Sequence, residues 1–115
     1  MPPIEFRRRS TEDELEPLYV RIAETGDVRS VAFSENTDDP DALDAAIATM
    51  RSGDVTIDRL HDKANDKWFF RFKDADTGAT LFRSMPCDDE DAMEHDIDLV
   101  ESHAADAPFI DDAHA

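Results

Sequence analysis

Tyr19-Val20-Arg21 and Phe69-Phe70-Arg71 place an aromatic residue and an arginine two apart, once in each half of a 115-residue chain. In an extended strand, residues two apart share a face. Tyr19 and Arg21, and again Phe69 and Arg71, therefore point the same way, with Arg7 and Arg9 as candidate neighbours. Aromatic planes interleaved with guanidinium groups on an open sheet can stack a base or hold an anion. The competing use is structural: each arginine pairs with one of the chain's 29 carboxylates. These four residues form the candidate ligand site.

A second candidate is Asp88-Asp89-Glu90-Asp91 with His95 one helical turn beyond, and His103 further on. A carboxylate and an imidazole at i and i+4 share a helix face, so Asp91 and His95 make a minimal metal pair. The residues fifty positions earlier are Asp41 and Ala45, so the histidine has no counterpart. Helix capping and a hydrated acidic surface account for the cluster without a metal. His61 and His114 have no second ligand at a telling spacing. Cys87 stands where a helix dipole would lower a thiol pKa, but four acidic neighbours oppose that. Its counterpart Thr37 suggests a capping or packing role. Ser34 and Ser84 have no nearby histidine to activate them. Three dispersed glycines, Gly26, Gly53 and Gly78, cannot build a phosphate loop. Arg7-Arg8-Arg9, the one basic run, suits an edge strand that discourages stray pairing, or contact with an acidic partner. No catalytic residue, cofactor or metal is assigned.

The elements that carry these residues emerge when the chain is slid against itself by fifty positions. Between Leu18 and Ser52, eight of 35 positions are identical: Arg21, Ser34, Asp38, Asp39, Asp41, Ala42, Ile47 and Ser52 recur as Arg71, Ser84, Asp88, Asp89, Asp91, Ala92, Ile97 and Ser102. Leu18, Val20, Ile22 and Trp68, Phe70, Phe72 alternate with period two, which predicts a half-buried strand in each half. Thr11 to Ala23 alone would also suit a helix; the repeat overrules that for Leu18 to Ile22. Thr25-Gly26 and Thr77-Gly78 mark turns into second strands, Arg29 to Ser34 and Ala79 to Ser84. Acidic stretches from Thr37 and from Cys87 then open helices with apolar stripes Leu43, Ile47, Met50 and Met93, Ile97, Val100. Gly53 ends the first helix. Ile4 to Arg9 and Val55 to Leu60 are leading strands, and Pro108-Phe109-Ile110 a closing one. Whether Val55 to Leu60 also closes the first unit is left open by the offset. The expected organisation is one domain of two tandem repeats, about 4–54 and 55–112, with a disordered tail at 113–115.

The second unit, with Trp68-Phe69-Phe70-Arg71-Phe72-Lys73, Thr77-Gly78, Ser84, a helix ending in Ile97, Leu99 and Val100, and then Asp106-Ala107-Pro108-Phe109-Ile110-Asp111, resembles the YegP-like family of uncharacterised proteins. The family pattern has Asn-Gly where this chain has Thr77-Gly78, and an aromatic after the serine where this chain has Met85-Pro86-Cys87. The resemblance covers about half the chain directly, and the first unit only through the repeat. It implies an α+β fold in which two β-β-β-α-β units form one antiparallel sheet, helices on one face, closing strands exchanged between units. It implies no activity.

Composition bounds the setting. Twenty-nine acidic residues against 12 basic give a formal charge of −17, with lysine only at Lys63, Lys67 and Lys73. Near-molar salt shortens the Debye length to about 3 Å and suppresses the resulting self-repulsion. A halophile-type proteome is expected. Disorder, the alternative for so charged a chain, is opposed by 40% apolar residues and strand-like aromatic blocks. One cysteine excludes an internal disulfide. No run is apolar enough for a membrane span and no signal peptide is visible, so a soluble cytoplasmic protein is expected. The charge disfavours nucleic acid. The expected role is a non-enzymatic binding or scaffolding module, monomeric (an internal pseudo-dimer) or a weak homodimer, with a protein or small-molecule partner. The alternative is an enzyme, dependent on a small anionic ligand or a metal, acting near Arg21 and Arg71 or near Asp91 and His95.

Overall fold

The computed structural model describes residues 3–10, 18–26, 29–35, 37 and 39–111, with Arg9, Ser10 and Asp111 described through their backbone. Thr11, Asp38, His114 and the tail 113–115, which figure in the expectations above, lie outside the described residues. Seven strands and two helices follow in the order β1 (Ile4–Ser10), β2 (Leu18–Glu24), β3 (Ser30–Phe33), α1 (Pro40–Ser52), β4 (Val55–Asp62), β5 (Lys67–Asp74), β6 (Thr80–Ser84), α2 (Glu90–His103) and β7 (Phe109–Asp111). The strands form one sheet in the order β4-β5-β6-β3-β2-β1-β7. This is the α+β architecture expected from sequence.

Period-two alternation sorts the sheet into two faces. Phe6, Val20, Ile22, Phe70, Phe72 and Phe82 are wholly buried beneath the helices, which contribute Leu43, Ala46, Ile47 and Met50 from α1 and Met93, Ile97 and Val100 from α2. Phe70 and Phe72 meet edge to face with centroids 5.4 Å apart. Phe6 and Phe82, from opposite halves, lie 6.1 Å apart. Both halves therefore share one core.

The helices start where carboxylates can cap them. Asp39 accepts from the Asp41 N–H at 3.0 Å ahead of Pro40, and Asp89 accepts from the Ala92 N–H at 2.7 Å. Helix α1 ends at Gly53, whose φ of +82° is left-handed and suits a residue without a Cβ.

Pairings recur fifty residues apart. Glu24 bonds to Arg29 as Asp74 bonds to Ala79, each N–H donating at 2.8 Å, so both hairpins close on equivalent pairs although their glycines are offset by two. Bulges fall at Ile22/Ala23 and at Phe72/Lys73. The Leu18 N–H donates to the Thr37 carbonyl at 2.7 Å as the Trp68 N–H does to that of Cys87 at 2.9 Å. At the centre Phe33 of β3 faces Arg83 of β6, residues themselves fifty apart. Strand β4 pairs with β5 as β1 pairs with β2. One pair departs from an all-antiparallel sheet: β7 runs parallel to β1, Phe6 facing Phe109. It comes off a helix and not a hairpin, so nothing obliges it to run antiparallel.

Candidate functional site

The sheet face turned away from the helices carries a row of directly paired residues across six strands: Asp58, Arg71, Arg83, Phe33, Arg21 and Arg7. Four of the chain's nine arginines are aligned there by register alone. In the second half, the row borders a concave pocket of about 520 Å³ lined by Phe33, Ser34, Leu60, Phe69, Phe70, Arg71, Arg83 and Ser84. Leu60 and Phe69, facing each other across β4 and β5, form an apolar wall. Leu60 is 40% exposed, a large apolar side chain left facing solvent.

The cations at the pocket have carboxylates within reach. Arg71 Nη2 donates to Asp58 Oδ2 at 3.3 Å, a long bond, and Lys73 Nζ donates to the same oxygen at 3.1 Å. Arg83 Nη2 donates to Glu35 at 2.9 Å, both side chains largely exposed. Arg71 Nε is buried and has no hydrogen-bond partner among the described residues. That leaves an unsatisfied donor on a cation beside the pocket.

The residues expected from sequence are split by this geometry. Phe69 and Arg71 line the pocket. Tyr19 and Arg21 share the face but belong to the first half; Tyr19 packs on Phe33 with ring centroids 6.2 Å apart. Arg21 is only 8% exposed and donates from Nη1 to Ser30 Oγ at 2.7 Å. Sequence reasoning missed Arg83, Phe33 and Leu60. Arg83 was findable: it follows the buried Phe82 in β6 and so alternates onto the opposite face, the one that carries Arg71. Its mate Phe33 differs in type, so a search for identities passed over both.

The shared serines are structural. Ser34 Oγ accepts from the Val20 N–H at 2.8 Å, and Ser84 Oγ from the Phe70 N–H at 2.9 Å. Asp91 and His95 are both exposed on α2, and among the described residues no three metal-ligating side chains converge. Asp88 pairs with Lys67, which lowers the Asp88 pKa. His61 stacks on Trp68 with centroids 4.0 Å apart and lies 3.1 Å from Asp66. Cys87 is buried, and burial first, then the field of Asp96, push its thiol pKa up, the reverse of nucleophile activation. Asp96 is itself 5% exposed and accepts two bonds from Arg29, at 2.8 and 3.1 Å, which raise the arginine's pKa further.

The fold has solved counterparts. The solution structure of yegP from E. coli, a protein of unknown function, matches with a TM-score of 0.82 and 16% identity over 100% of this chain and 97% of that one. The UPF0339 protein of Shewanella oneidensis matches with a TM-score of 0.80 and 14% identity over 95% of this chain and 91% of that one. At such identities the likeness shows a shared fold. No family model and no curated protein matches the sequence. No helix among the described residues is long and apolar enough to cross a membrane.

Proposed function

We propose that the chain is a binding module whose open sheet face takes a small amphipathic anion in the pocket beside Arg71. The observation that carries this is the buried, unpartnered Arg71 Nε next to the apolar wall of Leu60, Phe69 and Phe33. A guanidinium presents a planar fork that matches carboxylate or phosphate, and its bond to Asp58 is long enough to yield to a better acceptor. The pocket volume falls in the range of small-molecule sites. Arg83, more exposed, supplies a second cation. Tyr19 and Arg21 flank the site. The lining offers guanidinium groups, apolar walls and serine hydroxyls engaged by backbone N–H groups, a set suited to holding a ligand more than to transforming one.

Titration calorimetry with aromatic carboxylates tests the reading. Arg71→Met is expected to weaken binding about tenfold, roughly 1.4 kcal/mol, and Arg83→Met less. No binding to the wild-type chain, or equal binding to Arg71→Met, would sink it.

Three broader readings accompany this one. Membership of a YegP-like family is supported by the fold shared with yegP and the motifs of the second half. Duplication of a β-β-β-α unit, with a closing strand after the second copy, is supported by pairings that recur at one offset. A salt-rich cytoplasm is supported by the charge of −17 and the scarcity of lysine.

A further inference from the structure

Strand β1 lies between β2 and β7, whereas its counterpart β4 has β5 on one side and, among the described residues, no strand on the other. Hydrogen bonding alternates along an antiparallel pair, so every second residue turns its N–H and C=O outward. On β1 the Thr25 N–H donates to the Pro3 carbonyl at 3.0 Å, which leaves Ile4, Phe6 and Arg8 facing out; the Phe6 N–H is indeed taken by Pro108 of the β7 segment at 2.9 Å. On β4 the Ala75 N–H donates to the Asp54 carbonyl at 3.0 Å, and the same count turns Ile57, Arg59 and His61 outward. The edge runs eight residues in unbroken register, without proline, lysine or bulge, and its charges Asp58 and Arg59 are engaged by Arg71, Lys73 and Glu94.

The surroundings of the two edges differ in charge. Phe109 of β7 borders a hollow shared with Asp44, Ile47, Ala48 and Arg51 of α1. Arg51 also fixes the link into β7, donating to the Ala107 carbonyl at 2.7 Å. The α2 residues fifty positions on are Glu94, Ile97, Asp98 and Glu101, so a cation is replaced by a carboxylate and an alanine by another. Glu94 stands beside β4, accepting from Arg59 Nε at 2.7 Å, and Glu94, Asp98 and Glu101 are all exposed. One end of the sheet is thus built for the chain's own apolar strand. The other presents main-chain donors and acceptors beside an acidic helix face.

We propose that the outer edge of β4 takes an extended basic segment of a partner protein as an added strand, its lysine or arginine side chains meeting Asp98 and Glu101 beside the Glu94–Arg59 pair. Strand addition draws affinity from main-chain bonds and specificity from alternate side chains. A second copy is the poorer occupant: antiparallel β4 pairs centred on Asp58 or Arg59 set like charges opposite each other, between two bodies each of charge −17. The site shares β4 with the Arg71 pocket but uses the strand's outward N–H and C=O groups at Ile57, Arg59 and His61, whereas the pocket uses the side chain of Leu60; peptide and anion binding are therefore read independently.

The test uses the full chain and an end-capped peptide of about eight residues, the length of β4, alternating lysine and valine, against its glutamate counterpart. Amide hydrogen exchange followed by NMR is expected to show the lysine peptide slowing exchange at Ile57, Arg59 and His61, with the glutamate peptide inert. Asp98→Lys with Glu101→Lys should weaken binding about tenfold. Ile57→Pro should abolish it while keeping the β4–β5 ladder, because the lost N–H is an outward one; unchanged exchange in α1 verifies its fold. Equal binding of both peptides, protection elsewhere, or indifference to the charge reversal overturns the proposal. Protection of β4 without peptide, rising with protein concentration, overturns it too by giving the edge to a second copy.

Discussion

Asp96 is the one carboxylate on the core-facing stripe of α2, and its position in α1 is held by Ala46. A buried charge is tolerable only while its partner stands. Arg29→Met leaves the carboxylate desolvated with Cys87 Sγ at 3.9 Å, and is expected to cost about 2–3 kcal/mol. Asp96→Ala removes the charge itself, frees Arg29 toward solvent and Glu24, and should stay within about 1 kcal/mol of the parent. Urea denaturation midpoints compare the two; equal losses would show that the pair, and not the orphaned charge, sets the cost. None of this was visible in the sequence. Arg29 and Asp96 are 67 residues apart, and only the tertiary fold brings the end of the β2–β3 turn to α2.

At the scale of elements, Ser34 and Ser84 each extend a short strand by accepting a neighbour's N–H, one to β2 and one to β5. Alanine at either is expected to cost about 1 kcal/mol, and the two losses should match, because the donors Val20 and Phe70 are equally buried. A loss at one site only, in thermal or urea unfolding, would show that the equivalence is geometric without being energetic. The serines were legible as a repeated pair, while their role was not, since a hydroxyl bonding across 14 residues leaves no periodic trace. The alternation of β5 and the stripes of α1 and α2 were legible, because solvent imposes them locally. The order of the strands was less so. The parallel pairing of β7 with β1 depends on where α2 delivers the chain. Half of the candidate site was readable, Phe69 and Arg71 by alternation. Arg83 and Phe33 joined them only once the register of β3 on β6 fixed which residues face each other.

The whole molecule concentrates a formal charge of −17 within a radius of gyration of 13.8 Å, close to the roughly 13–14 Å of an ordinary domain this long. Repulsion at that size is not relieved by expansion, so screening by salt is expected to stabilise the fold. Urea midpoints are expected to rise as KCl goes from low to multimolar concentration, most steeply where the Debye length falls from about 10 Å to about 3 Å. Stability independent of salt would end the salt-adapted reading.

The placing of β7 has a mechanical side. Strands β1 and β7 are neighbours that run the same way, so force applied at the start of β1 and the end of β7 pulls along the strands and across their hydrogen bonds. Such bonds are loaded together and must fail together, whereas a hairpin drawn open at its ends yields one bond at a time. Three facing residue pairs, Phe6 to Arg8 against Phe109 to Asp111, with the guanidinium of Arg8 over the Phe109 ring, thus form a short shear clamp that has to give way before tension reaches the rest of the sheet.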